Sequence, residues 1–290
     1  MNRFFVDSNN IKNSKIFITD KDDIKHIKKV LRLKNNEEIE ISDNEQYEYI
    51  ARIINVDENP IECEIITQNI HKNELPYNID LFQGVPQKSK LELIIQKNVE
   101  LGITNIYPLR VNRCQGVNKE KFDTKLDRYN QISKSAAEQS KRGIIPEVKK
   151  LHTFKECLGL INEYDLFIFC YEDETKTTLK EVLTTFKKSK LNNNLNSNIS
   201  NDINTIPIIN NNHPNTIVQN NMKDKDDASL KTNKKLNIAV LIGPEGGIAE
   251  DEVNLLISNN AISASLGKSI LRTETAGIVA LSMINYELAL

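Results

Sequence analysis

Ile238-Ala239-Val240-Leu241-Ile242-Gly243-Pro244-Glu245-Gly246-Gly247 and, shortly after it, Ile262-Ser263-Ala264-Ser265-Leu266-Gly267-Lys268-Ser269-Ile270-Leu271-Arg272-Thr273-Glu274-Thr275 decide how this chain is read. Each begins as a short apolar, β-branched run and breaks at glycine, the pattern of a buried strand that ends in a loop. Open α/β sheets place ligands in loops that leave strand ends, so the two loops together predict one site. Gly243, Gly246 and Gly247 permit close approach of a ligand to the main chain, although tight turns alone explain glycine equally well. Neither loop reads GxxxxGK[ST] or GxGxxG, so neither a P-loop nor a dinucleotide fingerprint is present. Ala249-Glu250-Asp251-Glu252 opens a helix with acids in its first turn, and Val253, Leu256 and Ile257 are its expected inward face. Acids there suit the helix dipole and disfavour a bound phosphate, leaving a small, mostly neutral ligand held by backbone groups.

Working outward, Leu166-Phe167-Ile168-Phe169-Cys170 is an uninterrupted apolar run, expected as a central strand buried on both faces, with Tyr171-Glu172-Asp173-Glu174 as its exit loop and a helix over 175–186. Ile79–Gly84, a helix over 89–101 closed by Gly102, and a strand over 103–109 form a βαβ unit, which starts a parallel sheet. A helix is expected over 124–141. Residues 187–235 are rich in Asn with no lasting apolar period, and such composition predicts a disordered insertion. The first 75 residues differ. Alternation as in Glu38-Ile39-Glu40-Ile41 and Glu62-Cys63-Glu64-Ile65 predicts half-buried strands, over 3–6, 15–18, 37–41, 48–56 and 62–67, around one helix over 20–31. Residues 69–78 read as a linker.

The net formal charge of −2 supplies no global attraction to nucleic acid or membrane, so any such preference must be local. Residues 110–150 hold eleven Lys and Arg against five Asp and Glu, an excess beside a strand end that favours an anionic partner. Lys25, Lys28, Lys29, Arg32 and Lys34 form a smaller cluster that a solvated helix end explains as well as phosphate contact. Four Cys without CxxC spacing and four His give no zinc pattern and no disulfide framework, so no metal is expected and the thiols are expected reduced. With no secretory h-region and no run of about 18 apolar residues, a cytoplasmic protein without a membrane span is expected.

Leu241 to Gly247 together with Leu266-Gly267-x-x-Ile270-Leu271-Arg272-Thr273-Glu274-Thr275-Ala276 resembles the bacterial 16S ribosomal RNA uridine-N3 methyltransferase family, a branch of the SPOUT superfamily of knotted methyltransferases. Phe4-Phe5, His26-x-x-x-Val30-Leu31-Arg32, Lys88 through Glu100-Leu101-Gly102, Arg113, and Ala136-Ala137-Glu138-Gln139-Ser140-x-Arg142 carry the likeness over nearly the whole chain outside the insertion.

The resemblance implies an α/β protein with a PUA-like RNA-binding β-barrel over 1–72. A SPOUT domain follows over 78–290, with a mostly parallel sheet and a deep C-terminal trefoil knot, interrupted at about 188–235. Knots are rare exceptions to the usual threading rule, and nothing in the periodicity reveals one. It further implies S-adenosylmethionine as methyl donor, a homodimer, no metal, and methylation at N3 of one uridine, numbered 1498 in the family, in the 16S rRNA of the small ribosomal subunit. Carried over by position, the cofactor residues are Leu241, Gly243, Pro244, Glu245, Gly246, Gly247, Leu266, Gly267, Ile270, Leu271, Arg272, Thr275 and, from the third loop, Tyr171. Arg272 is the expected catalytic side chain, unless an ion pair with a carboxylate makes it a brace. Arg32, Lys88, Arg113, Arg142 and Lys268 are the RNA-contact candidates. Glu138, Glu245 and Glu274 are open as bases for the N3 proton. The family usually has a basic residue where Ser269 stands, and Lys268 beside it is the substitute. A ribose 2′-O methyltransferase of the same superfamily and a non-catalytic ribosome-assembly factor are the competing readings.

Overall fold

The computed structural model describes residues 1–87, 89–202 and 235–288, with the backbone alone over 191–202. Lys88 and most of the Asn-rich stretch lie outside the described residues, and so do those two expectations.

Alternation of charge and Ile builds the first unit. In β4 (Glu38–Ser42) Ile39 and Ile41 point inward, and Glu38 faces solvent. With β1 (Arg3–Phe5), β2 (Ile11–Lys12), β3 (Lys15–Ile18), β5 (Tyr47–Asn55) and β6 (Ile61–Ile70) it forms a six-stranded sheet in the order β1-β4-β5-β6-β3-β2. The sheet curls around a core of Phe4, Ile16, Ile18, Ile39, Ile41, Ile53 and Ile61. The one helix departs from the simple expectation. Asp20 caps α1 (Lys21–Lys25) by accepting from the Asp22 and Asp23 amides, and the chain then widens into a π-turn over His26–Leu31 that ends at Arg32 in the left-handed region, φ 53°. Ile24 and Ile27 still reach the core.

The second unit is a parallel sheet. β7 (Asn78–Gly84), β8 (Asn105–Arg110), β9 (Glu147–Val148), β10 (His152–Thr153), β11 (Leu166–Cys170), β12 (Asn237–Ile242) and β13 (Ile262–Ala264) pair in the order β10-β8-β7-β12-β11-β13, with β9 also on β8. Every one of these pairings is parallel. A parallel sheet needs crossover helices on its faces, and both faces are covered here. On one, α2 (Lys90–Glu100), α4 (Leu126–Gln139), α6 (Leu179–Asp202) and α8 (Thr273–Leu288) bury Ile94, Ala137, Leu183 and Leu281 against Leu81, Ile168 and Val240. On the other, α5 (Phe154–Leu160) and α7 (Glu250–Ser258) cover Phe82, Phe167, Phe169 and Leu241. The helix α3 (Lys119–Asp123) has no counterpart in the sequence reading. α6 begins later than expected and its backbone runs on into the Asn-rich stretch. Two inward assignments are corrected. Ile257 is 53% exposed, and Ile262 is 41% exposed because β13 is the edge strand.

The two units meet through charge. Arg3, 7% exposed, donates to the Lys141 and Arg142 carbonyls at 2.9 and 2.8 Å and pairs with Glu40 and Glu48. Arg142, expected to touch RNA, is instead 4% exposed. Its Nε and Nη2 fork onto the Glu74 carboxylate at 2.9 and 2.7 Å, and Nη1 donates to the Val99 and Ile103 carbonyls at 2.9 and 3.1 Å. Four of its five N–H donors are spent inside the protein, which gives it a structural role.

Lys134 on α4 is shared by both oxygens of Asp23 at 2.8 Å and lies 3.7 Å from Asp20. Glu138 stands one turn along, with Oε1 buried and unpartnered. Burial first and the Asp23 charge second push its carboxyl up to about 7. An acid whose folded pKa is raised contributes stability below its unfolded value and loses it as pH rises through the folded one. Glu138→Gln is therefore expected to raise Tm at pH 8 and leave it unchanged near pH 4, checked by calorimetric melts at the two pH values.

Candidate functional site

The sheet delivers four strand ends to one edge. β7 stops at Gly84, β11 at Cys170, β12 at Ile242 and β13 at Ala264. The loops that leave β11, β12 and β13 enclose a cleft of about 540 Å³. That lies within the roughly 300–1,000 Å³ of small-molecule sites.

The first wall is Gly243–Gly247. It turns on a Gly247 N–H to Pro244 carbonyl bond of 2.9 Å. Gly247 sits at φ +72°, the left-handed region that favours glycine, and a Cβ there would displace the flexible end of Glu172, whose Oε1 would lie 1.9 Å away. Glu245 accepts from the Gln87 amide at 3.1 Å and pairs with Lys90 at 3.0 Å, which also reaches Glu274 at 3.3 Å. Burial raises the Glu245 carboxyl, but its own amide, Lys90 and the Gln87 N–H outweigh burial and hold it below its usual value.

The second wall is Ser265–Thr273. Leu266 and Leu271 are half-buried against the core, while Ile270 is 84% exposed. Lys268 and Arg272 line the cleft as exposed side chains, and among the described residues Arg272 makes no side-chain hydrogen bond or ion pair. The alternative in which Arg272 braces the fold through a carboxylate is not what forms.

Tyr171 and Glu172 form the third wall, Tyr171 held by its amide to the Ala264 carbonyl at 3.2 Å. Cys170 also lines the cleft, and burial pushes its thiol up to about 12, which leaves no thiolate near neutral pH.

Of the expected cofactor residues, Pro244, Gly246 and Gly267 also line the cleft. Leu241 points the other way, fully buried with Phe82 and Phe169, and Ile242 takes its place on the cleft side. Thr275 lies in the first turn of α8, behind the lining residues, its amide bonded to the Arg272 carbonyl. Of the bases held open, Glu245 and Glu274 are paired with Lys90, and Glu138 faces Asp23 at the junction of the two units. Arg113 is exposed at the rim, where its Nη1 donates to the Gly246 carbonyl at 2.9 Å, so the basic stretch adjoins the glycine loop. Arg32 is exposed on the first unit. Among the described residues no group of three or more His, Cys, Asp or Glu could hold a metal ion.

The sequence reading missed Gln83 and Gly84, and gave Thr273, inside the second loop, no role of its own. Gln83 is fully buried at the end of β7 and bonded to Thr273. A lone amide between Phe82 and Gly84 was the available signal. At Gly84 a Cβ would stand 2.6 Å from both N and Cδ of Pro244. Gly84→Ala is expected to cost about 1–3 kcal/mol of stability, the usual cost of overpacking, and to displace the glycine loop. Urea unfolding checks the first effect, and a crystal structure of the variant the second.

A family model described as an RNA methyltransferase domain matches residues 73–195 and 191–285, and one described as an RNA methyltransferase PUA domain matches 18–66. A ribosomal RNA small subunit methyltransferase E from Bacillus subtilis is 27% identical over 99% of this chain and 97% of its own. The protein of the same name from Buchnera aphidicola subsp. Schizaphis graminum is 30% identical over 89% and 85%. The crystal structure of a ribosomal RNA small subunit methyltransferase E from Neisseria gonorrhoeae bound to S-adenosyl methionine superposes with a TM-score of 0.72, at 25% identity, over 99% and 97% of the two chains.

Proposed function

Since the chain belongs to the RNA methyltransferase family that includes the small subunit methyltransferases E, we propose that it methylates 16S ribosomal RNA at N3 of a single uridine, the one numbered 1498 in the family, with S-adenosylmethionine as donor. The observation that carries this reading is the cleft itself. It has a glycine wall where a side chain would collide, an apolar wall at Leu266, Ile270 and Leu271, and one unpaired guanidinium, Arg272, at its lining.

The donor supplies a methyl group on a sulfonium. The rest falls to the chain. Backbone groups of Gly243–Gly247 and Leu266–Leu271 hold the adenosyl portion, and the apolar side chains shield it from water. The uracil must lose its N3 proton, and Glu245, held ionised by Lys90 and the Gln87 amide, is a poor base for it. Arg272 therefore stabilises the negative charge that the ring develops as its proton leaves to solvent. Arg113, Lys268 and Arg32 contact the RNA backbone, with the PUA-like unit over 1–72 as the second hold on the RNA.

A deep C-terminal trefoil knot, the second domain over 78–290, a homodimer and a cytoplasmic location belong to the same proposal. The exposed apolar side chains Ile270 and Tyr286 support the dimer. No helix among the described residues is long and apolar enough to cross a membrane.

Two measurements test the reading. Calorimetry is expected to show S-adenosylmethionine binding, and its absence at millimolar cofactor favours the non-catalytic assembly factor. Nucleoside analysis of 16S rRNA from a strain lacking the gene is expected to show loss of N3-methyluridine. Loss of a ribose-methylated nucleoside instead would move the assignment to the 2′-O class.

A further inference from the structure

Three chain segments far apart in sequence meet behind the cleft through one directed line of hydrogen bonds. The Gln83 Nε2 group, at the end of β7, donates to its neighbour's carbonyl, Gly84 O, at 2.9 Å and to Thr273 Oγ1 at 2.9 Å. Thr273, the first residue of α8, passes the line on by donating from Oγ1 to the Gly243 carbonyl at 2.7 Å. Gln83 is 0% and Thr273 5% exposed, so water does not compete for these bonds. The direction is fixed. The Gly84 and Gly243 carbonyls only accept, so Gln83 must present its NH2 and the Thr273 hydroxyl must receive from Gln83 and give to Gly243. The amide oxygen Oε1 is left buried without a partner, a cost that the arrangement tolerates.

The far end of this line is the first residue of the glycine wall, and Thr273 is itself the residue that ends the second wall. Neither wall has another hydrogen bond to the other among the described residues. Glu245 and Arg113 fix the outer part of the glycine loop to α2 and to the basic stretch, not to Ser265–Arg272.

We propose that Gln83 and Thr273 are positioning residues that set the separation of the two cleft walls and thereby the affinity for the adenosyl ligand. The ligand assignment rests on the function proposed above; the mechanical part does not. Loss of the Thr273 hydroxyl frees the Gly243 carbonyl, and loss of the Gln83 amide leaves that hydroxyl without the donor that orients it, so the glycine loop samples other positions while Arg272 and the backbone groups of both walls are kept.

The test uses Thr273→Val, which keeps the shape and removes the hydroxyl, Gln83→Met, Thr273→Ser as the conservative variant, and the double variant Gln83→Met/Thr273→Val, all in the full chain. Hydrogen exchange without ligand is expected to quicken at the Glu245, Gly246 and Gly247 amides in the first two variants, to stay unchanged at Ile79–Phe82 and Ile238–Leu241, and to stay native in Thr273→Ser. With ligand, KM for S-adenosylmethionine is expected to rise about tenfold in each of the first two while kcat and RNA affinity stay within about twofold. The double variant is expected to show no more than the larger single effect, since both act through one line. Unchanged exchange in the loop overturns the proposal, and so does a uniform rise in exchange across the strands, which marks plain destabilisation. Quickened loop exchange in a chain whose native form binds no S-adenosylmethionine upholds the wall-setting role and rejects the ligand.

Discussion

Arg142→Ala is expected to lower the unfolding free energy by about 3–5 kcal/mol, the range for a buried ion pair deprived of one partner. The effect exceeds that of a surface arginine because three losses coincide. Glu74 keeps its charge in a site where its side chain is only 14% exposed, now without the guanidinium that neutralised it. The Ile103 carbonyl loses the guanidinium that donates to it, and the Val99 carbonyl, in the last turn of α2, is left with the Gly102 amide. The connection between the two units loses its anchor, because backbone amides, Gly143 N–H at 2.8 Å among them, must then hold Glu74 by themselves. Arg142→Lys is expected to recover little, since an ammonium cannot fork onto a carboxylate and serve two carbonyls as well. The pH dependence gives a further check. Burial raises the Glu74 carboxyl, but Arg142 and the backbone amides outweigh it and hold it below 4.5 in the native protein. A depressed acid contributes stability above its unfolded value and loses it as pH falls through its folded one. The native chain therefore loses this advantage in acid, while in the variant protonation relieves the stranded charge. Urea unfolding at pH 7 and at pH 3.5 should show the gap between the two proteins narrowing at the lower value.

The same residue shows where sequence stops informing. The family resemblance, supported by the charge counted along residues 110–150, placed Arg142 among RNA contacts, yet its partner Glu74 lies 68 positions away, and no local pattern distinguishes a guanidinium met by a buried carboxylate from one met by solvent. Gln83 and Thr273 are separated by 190 positions and escaped for the same reason. What was legible was local. Leu166–Cys170 has the bounds expected of it because an apolar pentapeptide flanked by polar residues has one way to be buried. The Ile–Glu alternation of β4 fixed its inner face. The two glycine loops were legible because a strand that ends in glycine must turn there. Short polar elements such as α3, and the two-residue strands β9 and β10, carry too few side chains to show a period. Ile257 and Ile262 were placed inward by apolarity alone, but inward requires a neighbour, and the sheet ends at β13.

Arg272→Ala is expected to reduce kcat by about 10²–10³ at saturating S-adenosylmethionine, the scale on which one charge-stabilising donor acts, while KM for the donor changes no more than a few-fold. The split follows from the geometry. The walls that hold the adenosyl portion are backbone and apolar side chains, and Arg272 braces neither, since among the described residues its side chain has no hydrogen bond or ion pair. Its backbone carbonyl, which caps α8 by accepting from the Thr275 and Ala276 amides at 2.9 Å, is kept in alanine, so the fold survives the substitution. What is lost is a positive charge free to face the ring. Uridine N3 gives up its proton reluctantly near neutral pH, and Glu245, turned to Lys90 and held below its usual carboxylate value, is a poor base for it. The deficit in the variant should therefore shrink as pH rises and more of the uracil ionises unaided, by a factor approaching ten per pH unit until the ring is fully deprotonated. Arg272→Lys should restore part of kcat, having the charge without the planar fork. Single-turnover methylation of an rRNA fragment between pH 7 and 10 measures all three. A loss that is flat with pH and accompanied by weaker RNA binding would make Arg272 a phosphate contact, and a parallel loss of donor affinity would make it part of the cofactor wall.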